Sequence, residues 1–304
     1  MSDHRFLDLA DLLDPTDLLV VNETRVRAAR LLARRRETGG RVELLLLDRI
    51  EGRVWEALAK PSRRLRPGVV LDAGETTAVV TSHPEGGKVR VELESDDDEA
   101  AIASAGAIPL PPYFTGELED PERYQTMFAS QPGSAAAPTA GLHFTSDVIA
   151  RLSGKGIQTA RIDLHVSLDT FRPMTVQNIE DHPMHSEWCS VPGPAKTAID
   201  ACRQRNGRVI AVGTTVVRTL ESTADGFGGV LTGEGRTDLF LRPGSDFTVV
   251  DGLITNFHMP GSTLLVLLAG FMGERWRAAY ETALGRGYRF LSFGDAMFAL
   301  RGTS

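Results

Sequence analysis

The sequence predicts an α/β domain into which a small β-barrel domain is inserted. The chain has 304 residues, enough for two or three domains with sizeable cores. From about residue 26 to residue 95, short strands joined by glycine turns follow one another, as in small barrels. After residue 140, helical and strand patterns alternate, as in α/β domains. We place the discontinuous α/β domain at residues 1–26 and 109–304 and the barrel at residues 27–108.

Hydrophobic alternation and glycine or proline breaks place the individual elements. A short apolar strand at residues 18–21 opens the α/β domain. Barrel strands are predicted at residues 41–47, 54–58, 69–71, 77–80 and 88–93, followed by a short helix at 100–104 and a proline cluster at 109–112. Later helices are predicted at 146–152, 195–205, 214–222, 263–272 and 274–283, strands at 158–166 and 208–212, and a glycine-rich hairpin at 226–235. Residues 251–263 are predicted as a loop, and the last two helices close the chain.

Composition narrows the class of protein. Hydrophobic residues make up 42% and charged residues 24% of the chain, which excludes wholesale disorder. No apolar run approaches a membrane span, and the N-terminal residues lack the pattern of a secretory leader. Cys189 and Cys202 are too few for a disulfide scaffold or a four-thiolate zinc site, so we expect a cytoplasmic protein.

Charge is unevenly distributed along the chain. The formal net charge is −7, which argues against sequence-blind coating of DNA. Between Arg25 and Arg66, however, 13 basic residues face five acidic ones, a net charge of +8 that leaves −15 for the rest. This indicates a basic β module that grips a polyanion. The alternative is an ordinary solvated face.

Three common signatures are absent from the sequence. No G-x-G-x-x-G follows a strand, and neither G-x-x-x-x-G-K-[ST] nor G-x-S-x-G occurs. The absence of these signatures argues against a dinucleotide oxidoreductase, a P-loop enzyme or a common serine hydrolase. Four other segments carry polar chemistry.

Two of these segments are centred on histidines. Residues 133–144 combine small residues, which let backbone amides approach a ligand, with His143; the alternative is a tight buried loop. Residues 181–187 place His182 and His185 near two carboxylates, one of them Glu187. Such a group suits metal binding or general acid–base chemistry, and the intervening proline turn removes the fixed spacing of a helix.

The other two segments are predicted junctions with a helix. Residues 213–222 form a strand–glycine–threonine–threonine–helix junction, which offers an anion site at the helix N-terminus. Arg218 and Glu221 lie three residues apart there and are expected to form a surface ion pair unless they are functional. Residues 251–263 bring Asn256, His258 and Ser262 into one loop, with helix capping as the alternative role of Ser262.

The blocks, taken together, resemble the S-adenosylmethionine:tRNA ribosyltransferase-isomerase family of queuosine biosynthesis. The most distinctive block is 136–145, Ala-Ala-Pro-Thr-Ala-Gly-Leu-His-Phe-Thr. The resemblance covers essentially the whole chain in order. The other matching blocks are residues 17–26, 38–43, 60–61, 108–113, 123–126, 164–166, 170–173, 182–187, 213–222, 255–265 and 288–297.

The resemblance implies a β-barrel inserted in an α/β domain, and it implies a reaction. The ribosyl part of S-adenosylmethionine is transferred to 7-aminomethyl-7-deazaguanine at the wobble position of the tRNA anticodon loop. It is isomerised there to give epoxyqueuosine, with release of adenine and methionine. S-adenosylmethionine is thus a co-substrate, and no metal is expected.

The sequence departs from the family pattern at a few places. Members usually begin a few dozen residues before the Phe6–Leu9 segment. Ser167 and Asp169 stand where the family usually has glycines, so a close ligand approach or a positive φ would be costly there. Glu23 replaces the commoner aspartate. These changes bear on activity and not on the fold.

A reaction of this kind needs a base active near neutrality, a proton donor for adenine and an uncharged amine acceptor. Our hypothesis is that His143 or His185 removes a C5′ proton, and that Asp251 or Asp295 steers the cationic donor. Thr214 and Thr215 would hold the methionine carboxylate. The catalytic candidates are His143, His165, His182, His185, Glu187 and His258; the substrate-binding candidates are Asn22, Thr24, Tyr124, Thr139, Thr214, Thr215, Asp251, Asn256, Ser262 and Asp295; the tRNA-binding candidates are Arg25, Lys60 and Arg218.

Three other readings remain open. A metal hydrolase could be built on His182, His185 and Glu187. An RNA-binding relative could keep the fold and the basic module but have lost turnover. The chemistry could also be kept with a different amine acceptor.

Overall fold

The computed structural model describes residues 1–114, 116, 118–167, 170 and 173–302. None of the helices in these ranges is long and apolar enough to cross a membrane. The strands are β1 (Leu18–Asn22), β2 (Thr24–Val26), β3 (Arg30–Arg35), β4 (Arg41–Glu51), β5 (Val54–Lys60), β6 (Val70–Ala73), β7 (Thr76–Val80), β8 (Lys88–Leu93), β9 (Gly106–Ala107), β10 (Gln131–Ser134), β11 (Gln158–Leu164), β12 (Glu187–Val191), β13 (Val209–Val212), β14 (Gly233–Thr237), β15 (Gly252–Asn256) and β16 (Ala296–Leu300). The α-helices are α1 (Leu9–Leu12), α2 (Asp98–Ala105), α3 (Ser146–Gly154), α4 (Gly193–Gln204), α5 (Thr214–Ser222), α6 (Thr263–Met272) and α7 (Arg275–Gly285).

Contacts within the chain divide it into two compact units. One unit is built from Met1–Arg25 and Leu118–Ser304, and the other from Val26–Glu117. The first contains a mixed sheet with helices, and the second contains a closed barrel. The predicted fold class is therefore confirmed. The predicted limits of independently folding domains, after residues 26 and 108, stay a prediction.

The α/β unit is organised around four parallel strands. Its seven-stranded sheet has the order β14-β12-β11-β1-β13-β15-β16. Strands β11, β1, β13 and β15 are parallel, and the flanking strands are antiparallel. All five residues of β1 are buried, as expected for a strand with helices on both faces of its sheet. Leu18 and Val20 join one core with helices α4–α7, and Leu19 and Val21 join a second core with α1 and α3.

The barrel unit is a six-stranded antiparallel barrel. Its strands follow the order β3-β4-β5-β8-β7-β6, and it closes because β3 pairs with both β4 and β6. The alternation predicted for residues 88–93 is confirmed: Val89, Val91 and Leu93 fill the barrel, and the residues between them are exposed. Closure leaves no free edge among these six strands.

Several elements differ from the sequence prediction. The predicted loop at residues 251–263 contains strand β15. The last two helices do not close the chain as predicted, because strand β16 follows them and pairs with β15. Strand β12 was not predicted, and residues 233–237 pair with it instead of forming a hairpin over residues 226–235. The reason is compositional, because β14 is an exposed Gly-Glu-Gly-Arg-Thr strand with no alternation. Strand β15 starts at Gly252, where a Cβ would lie 2.6 Å from Ile210 Cδ1, so close packing requires glycine at this position. Because glycine is typical of turns, the sequence pattern predicted a loop there.

Trp55 ties the barrel strands to helix α2. Its ring is buried, and its indole N–H donates a 3.0 Å hydrogen bond to the buried carboxylate of Asp98. The guanidinium carbons of Arg27 and Arg49 each lie 4.9 Å from the ring centroid. One side chain therefore combines apolar burial, a charge-assisted hydrogen bond and cation–π contacts.

We expect Trp55→Phe to lower the free energy of unfolding by about 2 kcal/mol or more, because the buried Asp98 carboxylate loses a donor. Urea unfolding followed by circular dichroism measures this change. Trp276→Phe is the matched control, since Trp276 lies on α7, is only partly buried and stacks under Arg277 at 4.7 Å. Equal effects of the two substitutions would contradict the role assigned to Trp55.

Candidate active site

The carboxyl ends of the parallel strands bring parts of two polar segments, 213–222 and 251–263, to one edge of the sheet together with Asn22 and His165. Asn22 ends β1, His165 follows β11, and Asn256 ends β15. Gly213 joins β13 to α5 with φ of +95°, a left-handed conformation that favours glycine. In open α/β sheets this edge is the usual place for a ligand.

Asn22 extends the pairing of β1 and β11 with its side chain. Its amide donates to the Leu164 carbonyl at 2.9 Å and accepts from the Leu164 N–H at 3.2 Å. The same Nδ2 lies 3.5 Å from Thr215 Oγ1. Thr24 Oγ1 lies 2.8 Å from Ser134 Oγ, which accepts from the Val166 N–H at 2.8 Å. These buried groups order the strand ends.

His143 is held by a chain of hydrogen bonds from two other segments. Thr139 Oγ1 donates to Asn256 Oδ1 at 3.1 Å, and Asn256 Nδ2 lies 2.9 Å from His143 Nε2. Because an amide nitrogen can only donate, Nε2 accepts, and a neutral ring carries its proton on Nδ1. Burial lowers the pKa of His143 below its ordinary value, partly opposed by the charge of Asp295. Phe6 stacks on the ring with centroids 5.2 Å apart.

His143 also lines a large cleft of about 830 Å³ within the α/β unit. Asp295 and Arg289 line the same cleft, with apolar walls that include Phe6 and Phe298. Burial alone would raise the pKa of Asp295, but hydrogen bonds from the Arg289 N–H (2.7 Å) and guanidinium (3.2 Å) outweigh it and lower the pKa. The cleft thus offers an ionised carboxylate and an uncharged imidazole.

Glu187, at the start of β12, is the centre of a buried ionic cluster. Its carboxylate accepts from Ser167 N–H at 2.7 Å and from Thr170 Oγ1 at 3.1 Å, and it pairs with Arg218. His185 Nε2 lies 3.2 Å away. Burial alone would raise the pKa of Glu187, but hydrogen bonding from His185 and the charge of Arg218 outweigh it, so the pKa is lowered.

Arg218 is enclosed by this cluster. It is 4% exposed, and it also donates to the carbonyls of Leu239 (3.1 Å) and Thr237 (3.3 Å). The expected surface ion pair with Glu221 is wrong, because Glu221 accepts backbone N–H groups of residues 248–250 instead. A guanidinium in this setting serves as the partner of Glu187, and a contact of Arg218 with tRNA stays an untested prediction.

The threonines of the α5 junction lie beside this cluster. Thr214 and Thr215 line a cavity of about 10 Å³, room for one water molecule, together with Glu187, Arg218 and Thr170. Both threonines are buried at the first turn of α5. Their position joins the Glu187 cluster to Asn22 through Thr215. The structure therefore connects the second and third segments.

The remaining histidines have separate surroundings. His165 stacks on Trp188 with centroids 4.4 Å apart and covers Gly133, where a Cβ would lie 2.1 Å from Nε2. His182 packs on Phe240, and its Nδ1 is buried without a hydrogen-bond partner among the residues that the structure describes.

His258 is buried and pairs with Thr255 Oγ1 at 2.9 Å. Desolvation lowers the pKa of His258 to about 4. Its backbone N–H donates at 2.7 Å to the hydroxyl of Tyr280, whose pKa burial raises to about 12. This arrangement is typical of a structural histidine.

Several predicted substrate-binding residues lie outside this group. Asp251 precedes β15 at the opposite edge of the sheet, where Arg203 (2.5 Å) and Arg301 (3.4 Å) pair with it. Ser262 caps α6 by accepting from the Leu265 N–H at 3.3 Å, the alternative considered for it. Tyr124 is fully buried, 6.0 Å from the ring of Phe293.

The predicted tRNA contacts Arg25 and Lys60 have different surroundings. Arg25 pairs with Glu122 at the surface of the α/β unit, and Lys60 is exposed on β5 of the barrel. Asp169, with Phe171 and Arg172 of the matching block, lies outside the described residues. Within the described ranges no group of three or more His, Cys, Asp or Glu side chains is placed to hold a metal ion.

Sequence reasoning did not single out Ser134, Thr170 and Arg289. Ser134 links Thr24 to residue 166, Thr170 donates to Glu187, and Arg289 holds Asp295. Each lies next to a matching block or within it, but its partner lies at least six residues away in sequence. Only the tertiary fold reveals those partners.

Known proteins are similar to this chain in sequence and in structure. Residues 1–299 match the family described as queuosine biosynthesis protein. S-adenosylmethionine:tRNA ribosyltransferase-isomerase of Symbiobacterium thermophilum is 48% identical over 98% of this chain and 89% of its own. The protein of the same name from Gloeobacter violaceus is 50% identical over 98% of this chain and 86% of its own. The crystal structure of an S-adenosylmethionine tRNA ribosyltransferase from Thermotoga maritima is 34% identical, covers 97% of this chain and 86% of its own, and has a TM-score of 0.51.

The fold and site define an α/β protein with an inserted β-barrel and a polar site at the ends of parallel strands. The chain belongs to the queuosine biosynthesis family, and the resemblance stated from its sequence blocks is confirmed. The relatives carry the name of an enzyme, a transferase and isomerase. This is therefore an enzyme family.

We expect Glu187→Gln to lower the free energy of unfolding by about 3–5 kcal/mol, because the buried Arg218 loses its counter-charge. The double variant Glu187→Gln/Arg218→Met should lose less than this single variant, since it leaves no unpaired charge. Chemical unfolding of the three proteins measures the difference. A double variant less stable than Glu187→Gln would show that the pair is not what the cluster depends on.

Proposed function

We propose that this chain transfers and isomerises the ribosyl moiety of S-adenosylmethionine onto 7-aminomethyl-7-deazaguanine at the tRNA wobble position. The product is epoxyqueuosine, and adenine and methionine are released. The observation that carries the proposal is identity near 50% over 98% of the chain to relatives that bear this enzyme's name. S-adenosylmethionine is then a consumed co-substrate, tRNA is the acceptor, and the cytoplasm is the place of action.

The first chemical step is proton removal next to the sulfonium. The sulfonium acidifies the C5′ protons; a base takes one, and adenine leaves as the ribose opens. The tRNA amine adds to the unsaturated sulfonium, and ring closure expels methionine. The residues must therefore supply an uncharged base, a site for a cation and an anchor for a carboxylate.

His143 is the group we assign as the base. Burial lowers its pKa, so the ring is uncharged near neutrality. Asn256 acts as a positioning residue, because its amide N–H bonds Nε2 and so selects the tautomer with a lone pair on that nitrogen. Thr139 in turn fixes the orientation of the amide. When the substrate displaces the Asn256 amide N–H from His143 Nε2, the lone pair of Nε2 is free to accept the substrate proton.

His185 is the second candidate for a proton-transfer role. Glu187 lies 3.2 Å from its Nε2, which leaves Nδ1 as the acceptor of a neutral ring. A carboxylate that orients an imidazole is a common arrangement in acid–base sites. We assign protonation of the departing adenine to the imidazolium form of His185, which gives up its Nδ1 proton and returns to the neutral ring while Nε2–H stays on Glu187. We assign His165, His182 and His258 to structural support.

Charge and hydrogen bonding suggest how the donor is bound. Asp295 is ionised and shares the cleft with His143, so it suits the sulfonium better than Asp251, whose carboxylate pairs with two arginines. Thr214 and Thr215 at the N-terminus of α5 remain our proposal for the methionine carboxylate. Their cavity has room for one water molecule, so this binding requires the junction to open. Arg25 and Lys60 remain our proposals for contacts with tRNA phosphates. We assign Arg218 to the buried pair with Glu187 instead.

A product assay tests the function. We expect the purified chain, incubated with S-adenosylmethionine and tRNA carrying 7-aminomethyl-7-deazaguanine, to release adenine in the same amount as the epoxyqueuosine nucleoside formed. Chromatography with mass detection measures both. Folded protein that binds tRNA but releases no adenine would favour the RNA-binding reading, and adenine without the expected nucleoside would indicate a different acceptor.

Substitutions at His143 and Asn256 test the base. We expect His143→Ala to reduce kcat at least about 100-fold while leaving the unfolding midpoint nearly unchanged. Asn256→Asp places a carboxylate beside Nε2 and raises the pKa of His143. Because the base must be unprotonated, the acidic limb of the kcat/KM profile should then move about one pH unit upward.

His83→Ala is the matched control for these variants, because His83 is exposed on the barrel. It should retain wild-type kcat and its pH profile. Turnover by His143→Ala at the control's rate, or an Asn256→Asp profile identical to wild type, would remove His143 from the mechanism.

A further inference from the structure

The barrel carries its charges on two different sides. Residues 26–66, which include β3, β4 and β5, hold 12 basic and five acidic residues. Residues 67–117, which include β6, β7, β8 and α2, hold two basic and ten acidic residues. The barrel order β3-β4-β5-β8-β7-β6 puts the three strands of each group side by side. The unit is nearly neutral as a whole, yet it has a cationic half and an anionic half.

On the cationic half, one end of the β3–β4 hairpin places two arginines face to face. Arg34 and Arg41 are directly opposite each other in the strand register, and both are exposed. Neither makes an ion pair within the described ranges; Arg34 makes a 3.5 Å contact with the Gly39 carbonyl. Like charges directly opposite each other weaken a sheet. The cross-strand pair of Arg34 and Arg41 therefore does not contribute to the stability of the fold.

Further cations continue this surface across β5. Lys60 is exposed opposite Glu43, which lies two residues from Arg41 on β4, and Arg63 and Arg64 follow in the next loop. Glu43 is the carboxylate among them, and Arg30 pairs with it at 2.9 Å. The surface therefore keeps a strong positive charge.

An exposed apolar side chain lies in the same row. Leu32 is 68% exposed and stands between Arg30 and Arg34 on the outward side of β3. A row of cations around an apolar side chain suits a polyanion that also presents sugar and base surfaces.

We propose that the outward surface of β3, β4 and the start of the loop after β5, centred on Arg34 and Arg41, binds the phosphate backbone of tRNA. The proposal rests on the proposed function, which makes tRNA the substrate, and assigns part of its binding to a surface of the barrel. Arg34 and Arg41 bind adjacent phosphates, with Lys60 and Arg64 extending the contact. Arginine suits this role because its planar fork matches phosphate oxygens. Phosphate contacts of this kind fix position and carry no base specificity.

Equilibrium binding of an unmodified tRNA transcript, measured by fluorescence anisotropy over a series of salt concentrations, tests the proposal. We expect Arg34→Gln/Arg41→Gln to weaken binding at least about tenfold at low salt and to reduce the slope of log K against log salt by about 1.4–1.8. Its unfolding midpoint should equal or exceed that of wild type, because the like-charge pair is gone.

The matched control is Arg53→Gln/Arg90→Gln, which makes the same change in net charge. Arg53 and Arg90 are exposed and free of ion pairs within the described ranges; Arg53 lies at the other end of the β4–β5 hairpin, and Arg90 lies on β8. This variant should keep the wild-type affinity within about twofold. Equal losses for the two double variants would overturn the proposal, as would a wild-type chain that does not bind tRNA.

Two further measurements separate this proposal from its alternatives. Sedimentation of wild type and Arg34→Gln/Arg41→Gln without RNA shows whether the surface joins copies of the chain instead; loss of an oligomer with unchanged RNA affinity would overturn RNA binding. Adenine release by wild type tests the proposed function separately. Weakened binding by the variant without wild-type turnover would support this surface and reject the reaction.

Discussion

The buried ion pair between Glu187 and Arg218 is the constraint on which the site's geometry depends. Removing two charges from water is expensive, and here the expense is met by a complete set of partners: a backbone N–H, a threonine and a histidine on Glu187, and two carbonyls on Arg218. Those partners come from the end of β11, the start of β12, helix α5 and the end of β14. Thr170 and His185 can move only if the buried carboxylate loses a partner, so the ion pair restrains both side chains.

Hydrogen-bonded asparagines solve a related problem at the strand ends. Asn22 and Asn256 each end a parallel strand, where the ladder stops and backbone groups need partners. Asn22 uses both ends of its side-chain amide on the backbone N–H and C=O of Leu164. Asn256 instead spans Thr139 and His143, so the same residue type supports the backbone at one strand and sets a histidine tautomer at another. Burial lowers the pKa of His143, which lines the cleft, and it also lowers the pKa of His258, which is not among the cleft-lining residues.

The sequence predicted elements whose signal is local. Helix α5 has the predicted limits, and the alternation of β8 is reproduced residue by residue. Strands β12, β15 and β16 were missed for different reasons. Strand β15 is buried throughout and contains glycine and asparagine, so its sequence shows no period of two. Strand β12 places the charged Glu187 on its buried side, and β16 is a short apolar run that is only partly buried. The site was predicted as separate segments, and the structure joins Asn256 to His143, 113 residues apart, and Arg218 to Glu187, 31 residues apart. The nearer carboxylate in sequence, Glu221, was the expected partner of Arg218, and burial decided otherwise.

The charge of the sequence likewise does not reveal the cationic surface of the barrel, because that surface depends on which strands are neighbours. The whole chain is acidic and the barrel unit is nearly neutral, and neither value favours a polyanion as a partner. What matters is that the barrel pairing gathers β3, β4 and β5 on one side, so that carboxylates of the second half of the unit lie on other strands. Arg27, Arg36 and Arg49 still find acidic partners, whereas Arg34 and Arg41 face each other. A glutamate at position 41 would give the hairpin a favourable cross-strand pair. Arginine at this position costs a little fold stability and adds to a cationic surface, and an anion bound to that surface would offset the cost.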